Sequence, residues 1–397
     1  MRTVLPTAVI MLFAANAAAA QGGRGGGPEA TIKPGEECPA GMTEVRPLRC
    51  QAPQSAPPSI LDYRPRNTLV VPAHKVRKAK YPVIDFHGHP RNLVTSAEGL
   101  ATLKADMDSL NLGLMIVAEN LSSERIPSIL STVNASPMKN RVAVFTGIDL
   151  QNVGPGWAER AVARLEADVK AGAVGIGEIQ QNFGWTIRKA DGSRLRMDDP
   201  DLDPIWEAAA RLGVPVFIHT ALPSEFYAPV DNKNERWLEL SLFPNRRIAD
   251  GLPPFDSTMA ERDNLFRRHP KTIFVAAHMG WQANDLGKFG KVLDLPNVYT
   301  EVGAVLYDIG RQPHSARDFF IKYQDKILFG KDSYQPEEYP YYWRVFETQD
   351  DYFDYYRDYH AFWKLYGINL PDEVLKKVYY KNALKIVKGL PQSGWPK

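Results

Sequence analysis

Cysteine is scarce in this chain, with only two among 397 residues. This scarcity excludes a disulfide-dense scaffold and a zinc module built on four cysteines. An excess of charge of either sign is also missing, because 48 lysine and arginine residues face 46 aspartate and glutamate residues, for a formal charge of +2. That balance argues against a nucleic-acid-binding protein, and the hydrophobic content of 44% is typical of a globular protein with a sizeable core. We therefore expect a small molecule, and no nucleic acid, as its partner.

Long apolar runs are confined to the first residues, MRTVLPTAVIMLFAANAAAAQ. Arg2 precedes an apolar stretch that ends in Ala18, Ala19 and Ala20, the pattern of a secretory signal with a small-residue cleavage site. We expect residues 1–20 to be removed and the protein to be periplasmic or secreted, with no stable membrane anchor after cleavage. The alternative is an uncleaved anchor, although the stretch barely reaches the roughly 18 residues that a membrane span needs.

Residues 21–80 are rich in glycine and proline and show neither strand nor helix periodicity, so they predict an irregular N-terminal arm. Cys38 and Cys50 both lie in this arm. Because an exported protein meets an oxidising compartment, we expect a Cys38–Cys50 disulfide. The alternative is a pair of free thiols.

From residue 81 to residue 390, short apolar runs alternate with amphipathic stretches. The runs are VIDFHGH, LGLMIVAE, RVAVFTGID, AVGIGEI, VPVFIHTA, TIFVAAHM, VYTEVGA and ILFGKDS. One amphipathic stretch runs from Trp157 to a stop at Gly172, and another starts with Asp203 as the expected N-cap. Eight strands that alternate with helices predict an α/β fold, a (β/α)₈ TIM barrel, with an open doubly wound sheet as the competing architecture.

Histidine and aspartate residues end several of the predicted strands. His87 and His89 are two apart in the first run, so their side chains point the same way. His219, His278 and Asp332 end the fifth, sixth and eighth runs. The C-terminal ends of barrel strands meet at one mouth, so the sequence predicts a divalent-metal site there, and the imidazole-rich set favours Zn²⁺.

At these residues the sequence resembles the amidohydrolase superfamily, and within it the amidohydrolase-related group with lactonase-like and decarboxylase-like members. The motifs that carry the resemblance are DFHGH, GIGEI, FIHT, AAHMGW, LFGKDS and VYYKNALKIV. The ligands that it implies for the principal metal ion are His87, His89, His219 and Asp332. It further implies that Asp332 takes a proton from the attacking water, and that His278 binds a second ion or acts as an acid/base group. Relatives often pair, so the resemblance leaves a homodimer open.

Glu178 ends the fourth run, where many relatives with two metal ions place a bridging carboxylated lysine and some place a glutamate. A glutamate here favours hydrolysis with two ions, whereas the decarboxylase-like branch usually needs no ligand at this point. The alternative is a structural carboxylate at the barrel mouth. Lys331 departs from the small or hydroxylated residue that relatives commonly place before the aspartate, and strand alternation would point it away from the barrel axis.

Two long insertions, after the fifth run and after Asp332, are rich in aromatic residues. Long loops at a barrel mouth are often functional, so we expect an apolar wall around a carbon-rich ligand. The residues expected in this wall are Phe226, Tyr227, Trp237, Tyr334, Tyr339 and Trp343. Alternatively, they only pack the insertions against the barrel. Arg91 is a candidate for holding a substrate carboxylate, or else a surface arginine.

These features predict an exported, metal-dependent hydrolase that attacks an amide, ester or lactone carbonyl of a small organic substrate with one or two divalent ions. A divalent metal suits this role because it lowers the pKa of water and polarises a carbonyl. The alternative on the same scaffold is nonoxidative decarboxylation of an aromatic or unsaturated carboxylic acid with one ion. A third hypothesis, from another class, is an inactive ligand-binding barrel.

Overall fold

A computed structural model of the chain describes residues 27–396. The predicted signal, residues 1–20, lies outside the described residues. The chain divides into two compact units, with the boundary between Leu69 and Val70. No helix within residues 27–396 is long and apolar enough to cross a membrane.

The first unit contains a small antiparallel sheet. Its strands are β1 (Glu29–Thr31), β2 (Thr43–Arg46) and β3 (Arg49–Gln51), and β3 lies between the other two. A disulfide joins Cys38 and Cys50, as the sequence predicts. The arm is therefore not irregular throughout, and strands of three or four residues are too short to show an alternation in the sequence.

The second unit is built on a parallel sheet, and every strand of it coincides with one of the eight predicted runs, although β5 continues two residues past the end of its run. The strands are β4 (Val83–His89), β5 (Leu112–Leu121), β6 (Val142–Thr146), β7 (Ile176–Ile179), β8 (Val216–Ile218), β9 (Phe274–Ala276), β10 (Val298–Glu301), β11 (Ile327–Leu328) and β12 (Asp332–Ser333). Consecutive strands from β4 to β11 are neighbours, and β12 pairs with β4. The eighth run thus supplies both β11 and β12, which join the two ends of the sheet. The predicted (β/α)₈ barrel is confirmed.

Helices follow most of the strands. They are α1 (Ala97–Leu110), α2 (Arg125–Asn134), α3 (Trp157–Ala171), α4 (Asp203–Leu212), α5 (Trp237–Leu242), α6 (Phe255–Arg268), α7 (Leu286–Leu293), α8 (Leu306–Arg311), α9 (Pro313–Lys322), α10 (Tyr339–Glu347), α11 (Asp372–Lys376) and α12 (Asn382–Ile386). Gly172 follows α3 with a φ of 116°, a conformation that glycine adopts without strain. The expectation that Asp203 is an N-cap is wrong. Asp203 is the first residue of α4, and Asp199 caps the short 3₁₀ turn before it.

The barrel interior is filled by large apolar side chains. Phe86 packs edge-to-face against Phe145 and Phe217, with ring centroids 5.3 and 5.2 Å apart. All three rings are fully buried, as expected for parallel strands that are covered on both faces. This packing fixes the strands, and with them the residues at their C-terminal ends.

Candidate metal centre

Six of the predicted site residues lie at the C-terminal ends of the barrel strands. They are His87, His89, Glu178, His219, His278 and Asp332. Donor atoms of five of them, all but Asp332, form two groups, one of His87, His89 and Glu178 and the other of Glu178, His219 and His278, and a third group joins His87 and His278 to Glu301. Within each group, one donor atom from every residue lies within 4.8 Å of the others. This spacing and this set of imidazole and carboxylate donors fit a divalent metal ion.

Glu178 belongs to both groups. Its Oε2 lies 3.2 Å from Nε2 of His87 and 3.5 Å from Nε2 of His89. Its Oε1 lies 2.8 Å from Nδ1 of His219 and 3.5 Å from Nε2 of His278. A single carboxylate therefore faces two histidine pairs, one with each oxygen, which is the position of a group that bridges two cations.

Asp332 faces the first group. Its Oδ1 lies 3.9 Å from Nε2 of His87 and 3.7 Å from Nε2 of His89. Burial raises the pKa of the Asp332 carboxyl, but the neighbouring His87 and His278 outweigh it and hold this pKa below its usual value. Asp332 is thus ionised at neutral pH and available both as a ligand and as a proton acceptor.

Glu178 is ionised for a similar reason. Burial opposes its charge, but His87 and His219 outweigh this effect and hold the pKa of Glu178 well below its usual value. The pKa of His87 is raised well above its usual value, because Glu178 and Glu301 outweigh the opposing effect of burial. Burial lowers the pKa of His219. The site therefore places ionised carboxylates among imidazoles, and His87 has to be in its neutral form to bind a cation.

Glu301, at the end of β10, is a site residue that the sequence analysis missed. Its Oε1 lies 3.1 Å from Nδ1 of His87 and accepts the backbone N–H of His278 at 2.6 Å. Its Oε2 accepts the N–H of Gly303. This fully buried carboxylate orients two of the candidate ligands, a role that outer carboxylates often have in metal sites. The sequence did contain a pattern that could have identified Glu301, because the runs VYTEVGA and AVGIGEI both place a glutamate near the end of a strand.

Asp85 connects the first strand of the barrel to the last by hydrogen bonds. Its Oδ1 accepts the N–H groups of His87 and Lys331, each at 3.1 Å, and its Oδ2 accepts the hydroxyl of Tyr339 at 2.6 Å. The side chain of Lys331 is buried and pairs with Glu338. Lys331 lies just before β12, binds a partner of its own and is outside the two candidate ligand groups.

Several residues at the barrel mouth have strained backbone angles. Residues there with left-handed φ angles are Arg91 (52°), Asn120 (48°), Ala221 (63°), His278 (57°), Ala304 (58°) and Asp332 (74°). Residues other than glycine rarely adopt this backbone conformation, and such strain is typical of functional sites. Gly177, just before Glu178, has a φ of 128°, and a Cβ there would lie 2.5 Å from the carbonyl oxygen of Phe217. Only glycine fits at this position.

A cavity of about 430 Å³ opens beside the first ligand group. Its lining residues are His89, Arg91, Ala118, Glu119, Asn120, Glu178, Gln180, Asp332 and Ser333. Arg91, the predicted carboxylate-binding residue, is therefore at the cavity, and its backbone N–H donates to Glu119. The lining is mainly polar.

The predicted aromatic residues lie elsewhere. Phe226 and Tyr227 pack in a small apolar cluster with Trp185, and Trp237 is exposed. Tyr334 donates to Asp106 at 2.9 Å, whereas Tyr339 and Trp343 are fully buried in the main core. None of these residues is among those that line the 430 Å³ cavity, so the described part of the chain places no aromatic wall there.

The fold and the donor set define a (β/α)₈-barrel enzyme with a candidate divalent-metal centre. The chain belongs to the amidohydrolase family, whose model matches residues 146–388, more than half of the chain. No curated protein matches the chain in sequence.

Three solved structures illustrate the likeness of fold. A 2,6-dihydroxybenzoate decarboxylase from Rhizobium has a TM-score of 0.50 and 16% identity, and the match covers 78% of this chain and 99% of that one. A TIM-barrel protein from Bordetella bronchiseptica has a TM-score of 0.48 and 13% identity, with 78% and 99% covered. A dihydroxybenzoic acid decarboxylase from Polaromonas sp. JS666, with bound manganese and 2-nitroresorcinol, has a TM-score of 0.46 and 17% identity, with 78% and 97% covered. The match to the Rhizobium enzyme, at 16% identity, supports a shared fold alone.

Proposed function

We propose that this amidohydrolase-family enzyme is a metal-dependent hydrolase of an amide, ester or lactone of a small organic substrate. The observation that carries the proposal is the position of Glu178, whose two oxygens face two different histidine pairs. Two divalent ions, for which the imidazoles favour Zn²⁺, would lower the pKa of water and polarise the substrate carbonyl.

The chain's own residues then have separate tasks. His87, His89, Glu178 and Asp332 would hold one ion, and Glu178, His219 and His278 would hold the other. Asp332, at the wall of the cavity, accepts a proton from the attacking water and returns it to the leaving group. His278 keeps Nε2 toward the site because its Nδ1 contacts the carbonyl oxygen of Gly303 at 2.9 Å.

Nonoxidative decarboxylation with one ion is the second candidate. The two decarboxylases among the structures compared above support it better than they support hydrolysis, since both are described as acting on dihydroxybenzoates. The central place of Glu178 and the mainly polar cavity favour hydrolysis instead. An inactive ligand-binding barrel is disfavoured because all six predicted ligands lie at the C-terminal ends of the barrel strands.

Metal analysis distinguishes the two chemistries. We expect about two equivalents of metal in the purified protein and one fewer in Glu178→Ala, while Glu119→Gln, a carboxylate of the same cavity outside both ligand groups, keeps both. A screen of esters, lactones, amides and aromatic acids follows, with detection of released acid and of CO₂. One tightly held metal ion that Glu178→Ala leaves in place, together with CO₂ release, would establish decarboxylation and reject our proposal.

We also propose that the enzyme acts outside the cytoplasm after loss of residues 1–20. The Cys38–Cys50 disulfide supports this location, because such bonds persist in oxidising compartments. N-terminal sequencing of the protein from fractionated cells tests it: a mature chain that begins near Gln21 in the exported fraction is expected. An intact Met1 in the cytoplasmic fraction would reject export.

A further inference from the structure

Four consecutive residues shortly after β9 form a left-handed turn. They are His278, Met279, Gly280 and Trp281, with φ angles of 57°, 48°, 58° and 50°. A left-handed conformation is unfavourable for residues other than glycine, and here three such residues adopt it within one turn. Contacts from neighbouring parts of the barrel must therefore hold the turn in place.

The turn brings two side chains to the ligand group of Glu178, His219 and His278. Nε2 of His278 lies 3.5 Å from Oε1 of Glu178, and the indole N–H of Trp281 donates to Nε2 of His219 at 3.1 Å. The rings of His278 and Trp281 pack together, with their centroids 4.5 Å apart. The backbone of the turn thus sets the position of a candidate metal ligand and of its aromatic neighbour.

Two buried charged side chains hold the ends of the turn. At its start, Oε1 of Glu301 accepts the N–H of His278 at 2.6 Å. At its end, the guanidinium of Arg262, on α6, donates to the carbonyl oxygen of Gly280 at 3.1 Å and to Oε1 of Gln282 at 2.8 Å. Arg262 is fully buried, and its planar fork of donors suits two acceptors at once.

Arg262 fits closely against the turn. A Cβ at Gly280 would lie 2.4 Å from Nη1 of Arg262, so a larger residue there would displace the guanidinium. The charge of Arg262 is balanced by Asp263, whose Oδ1 accepts from Nε and Nη2 at 2.9 and 2.8 Å. Nε, Nη1 and Nη2 of Arg262 therefore all donate within the protein, and two of these contacts go to the turn and the residue after it.

We propose that Arg262 is a positioning residue of the metal centre. Its guanidinium holds the left-handed turn, and the turn places Nε2 of His278 where it can bind a cation. In this role Arg262 acts through the turn and binds neither the ion nor the substrate. The proposal rests on the proposed two-ion centre, and it adds a residue of α6 to a site whose ligands come from the strand ends.

Arg262→Lys tests this role, with Arg268→Lys as the control. Lysine keeps the positive charge but loses the planar fork that two acceptors need. Arg268 lies on the same helix and also donates to a backbone carbonyl, that of Asp198, and to a carboxylate, that of Asp203. The two variants therefore remove the same kind of contacts, but only Arg262→Lys removes them from the turn.

Titration of the full chain with Zn²⁺ against a competing chelator is the first measurement. We expect about tenfold weaker binding of one equivalent in Arg262→Lys, with the other equivalent unchanged, and no change in Arg268→Lys. Displacement of His278 should outweigh the release of His219 from Trp281, which would act the other way. Weaker binding of both equivalents would reveal a loosened barrel and would reject a positioning role.

A spectroscopic signal separates the inference from the proposed function. The indole N–H resonance of Trp281, in protein with ¹⁵N-labelled tryptophan and assigned through Trp281→Phe, should move in metal-free Arg262→Lys and keep its place in Arg268→Lys. If it does so but the wild type binds a single ion, two-ion hydrolysis fails and the positioning of the turn by Arg262 stands. An unmoved resonance, or two equivalents bound equally by Arg262→Lys and the wild type, would overturn the inference.

Discussion

The indole N–H of Trp281 donates a hydrogen bond to Nε2 of His219, across 3.1 Å. Because an indole nitrogen can only donate, Nε2 must carry a lone pair, and the proton of the neutral ring is on Nδ1. That proton points at Oε1 of Glu178, 2.8 Å away. The nitrogen of His219 that faces the candidate metal site is thus a donor, and it has to lose its proton before it can bind a cation.

Trp281→Phe should therefore strengthen metal binding at the group of Glu178, His219 and His278. Without the indole N–H, the proton of His219 can move to Nε2, which leaves a lone pair on Nδ1. A neutral hydrogen bond contributes about 1 kcal/mol, so we expect about a fivefold lower Kd for the second metal equivalent. Competition titration with a chelator measures it. Unchanged or weaker binding of the second equivalent would show that the Trp281 contact does not oppose metal binding.

Glu301→Gln should weaken metal binding although Glu301 lies behind the histidines. The amide removes the charge that lies 3.1 Å from Nδ1 of His87 and that helps to keep this ring in place. Loss of such an outer carboxylate typically costs about 10- to 100-fold in metal affinity. Equilibrium dialysis of Glu301→Gln against Glu119→Gln is the measurement, and equal affinities in the two variants would contradict the orienting role.

Tyr339→Phe should destabilise the barrel at the junction of its first and last strands. The change leaves Oδ2 of the buried Asp85 without its hydroxyl donor, at a cost of about 1–3 kcal/mol in the free energy of unfolding. Urea unfolding measures it. Tyr341→Phe is the control, because Tyr341 lies on the same helix and its hydroxyl makes no hydrogen bond to any described residue. A Tyr339→Phe protein as stable as this control would mean that the bond contributes nothing.

His360 should make stability fall in weak acid. Burial lowers its pKa to about 4, whereas in the unfolded chain the pKa is near the ordinary 6.5. The unfolded chain therefore takes up a proton first, so this contribution is complete above pH 6.5 and is lost as the pH falls toward 4, by up to about 3 kcal/mol.

Urea unfolding of His360→Gln and of the wild type at pH 7 and pH 5 tests this dependence. The loss between the two pH values should be smaller in His360→Gln than in the wild type. His314→Gln, at an exposed histidine, should behave like the wild type. The same loss in all three proteins would assign the acid sensitivity to other groups.

The ligand positions were predictable because they follow from local patterns. His87 and His89 end an apolar run, and a barrel brings the ends of such runs together regardless of the loops between them. The backbone angles that orient these side chains toward the site were not predictable from the sequence. Asp332 and His278 have left-handed φ angles, which depend on the packing around them and leave no periodic trace in the sequence.

Glu301 and the aromatic insertions were harder to interpret for another reason. A glutamate at the end of a strand resembles an ordinary polar residue until barrel closure buries it against His87. Tyr339 and Trp343 are four residues apart on α10, so they share the face that packs on the core, but the sequence does not say whether such a face meets the core or a ligand.

The left-handed backbone angles at the barrel mouth also identify positions where a substitution can increase thermal stability. Ala221 and Ala304 adopt left-handed angles, yet they contribute only a methyl group. A left-handed conformation costs an ordinary residue about 1–2 kcal/mol, and glycine is exempt from most of this cost. Ala304→Gly should therefore raise the melting temperature in a thermal unfolding scan with every proposed donor atom retained, whereas Ala221→Gly also removes a fully buried methyl group from an apolar cluster and should gain less. The same relief at His278 or Asp332 would remove the chemistry. Substitutions that increase thermal stability and substitutions that affect catalysis thus fall at different positions of the barrel mouth.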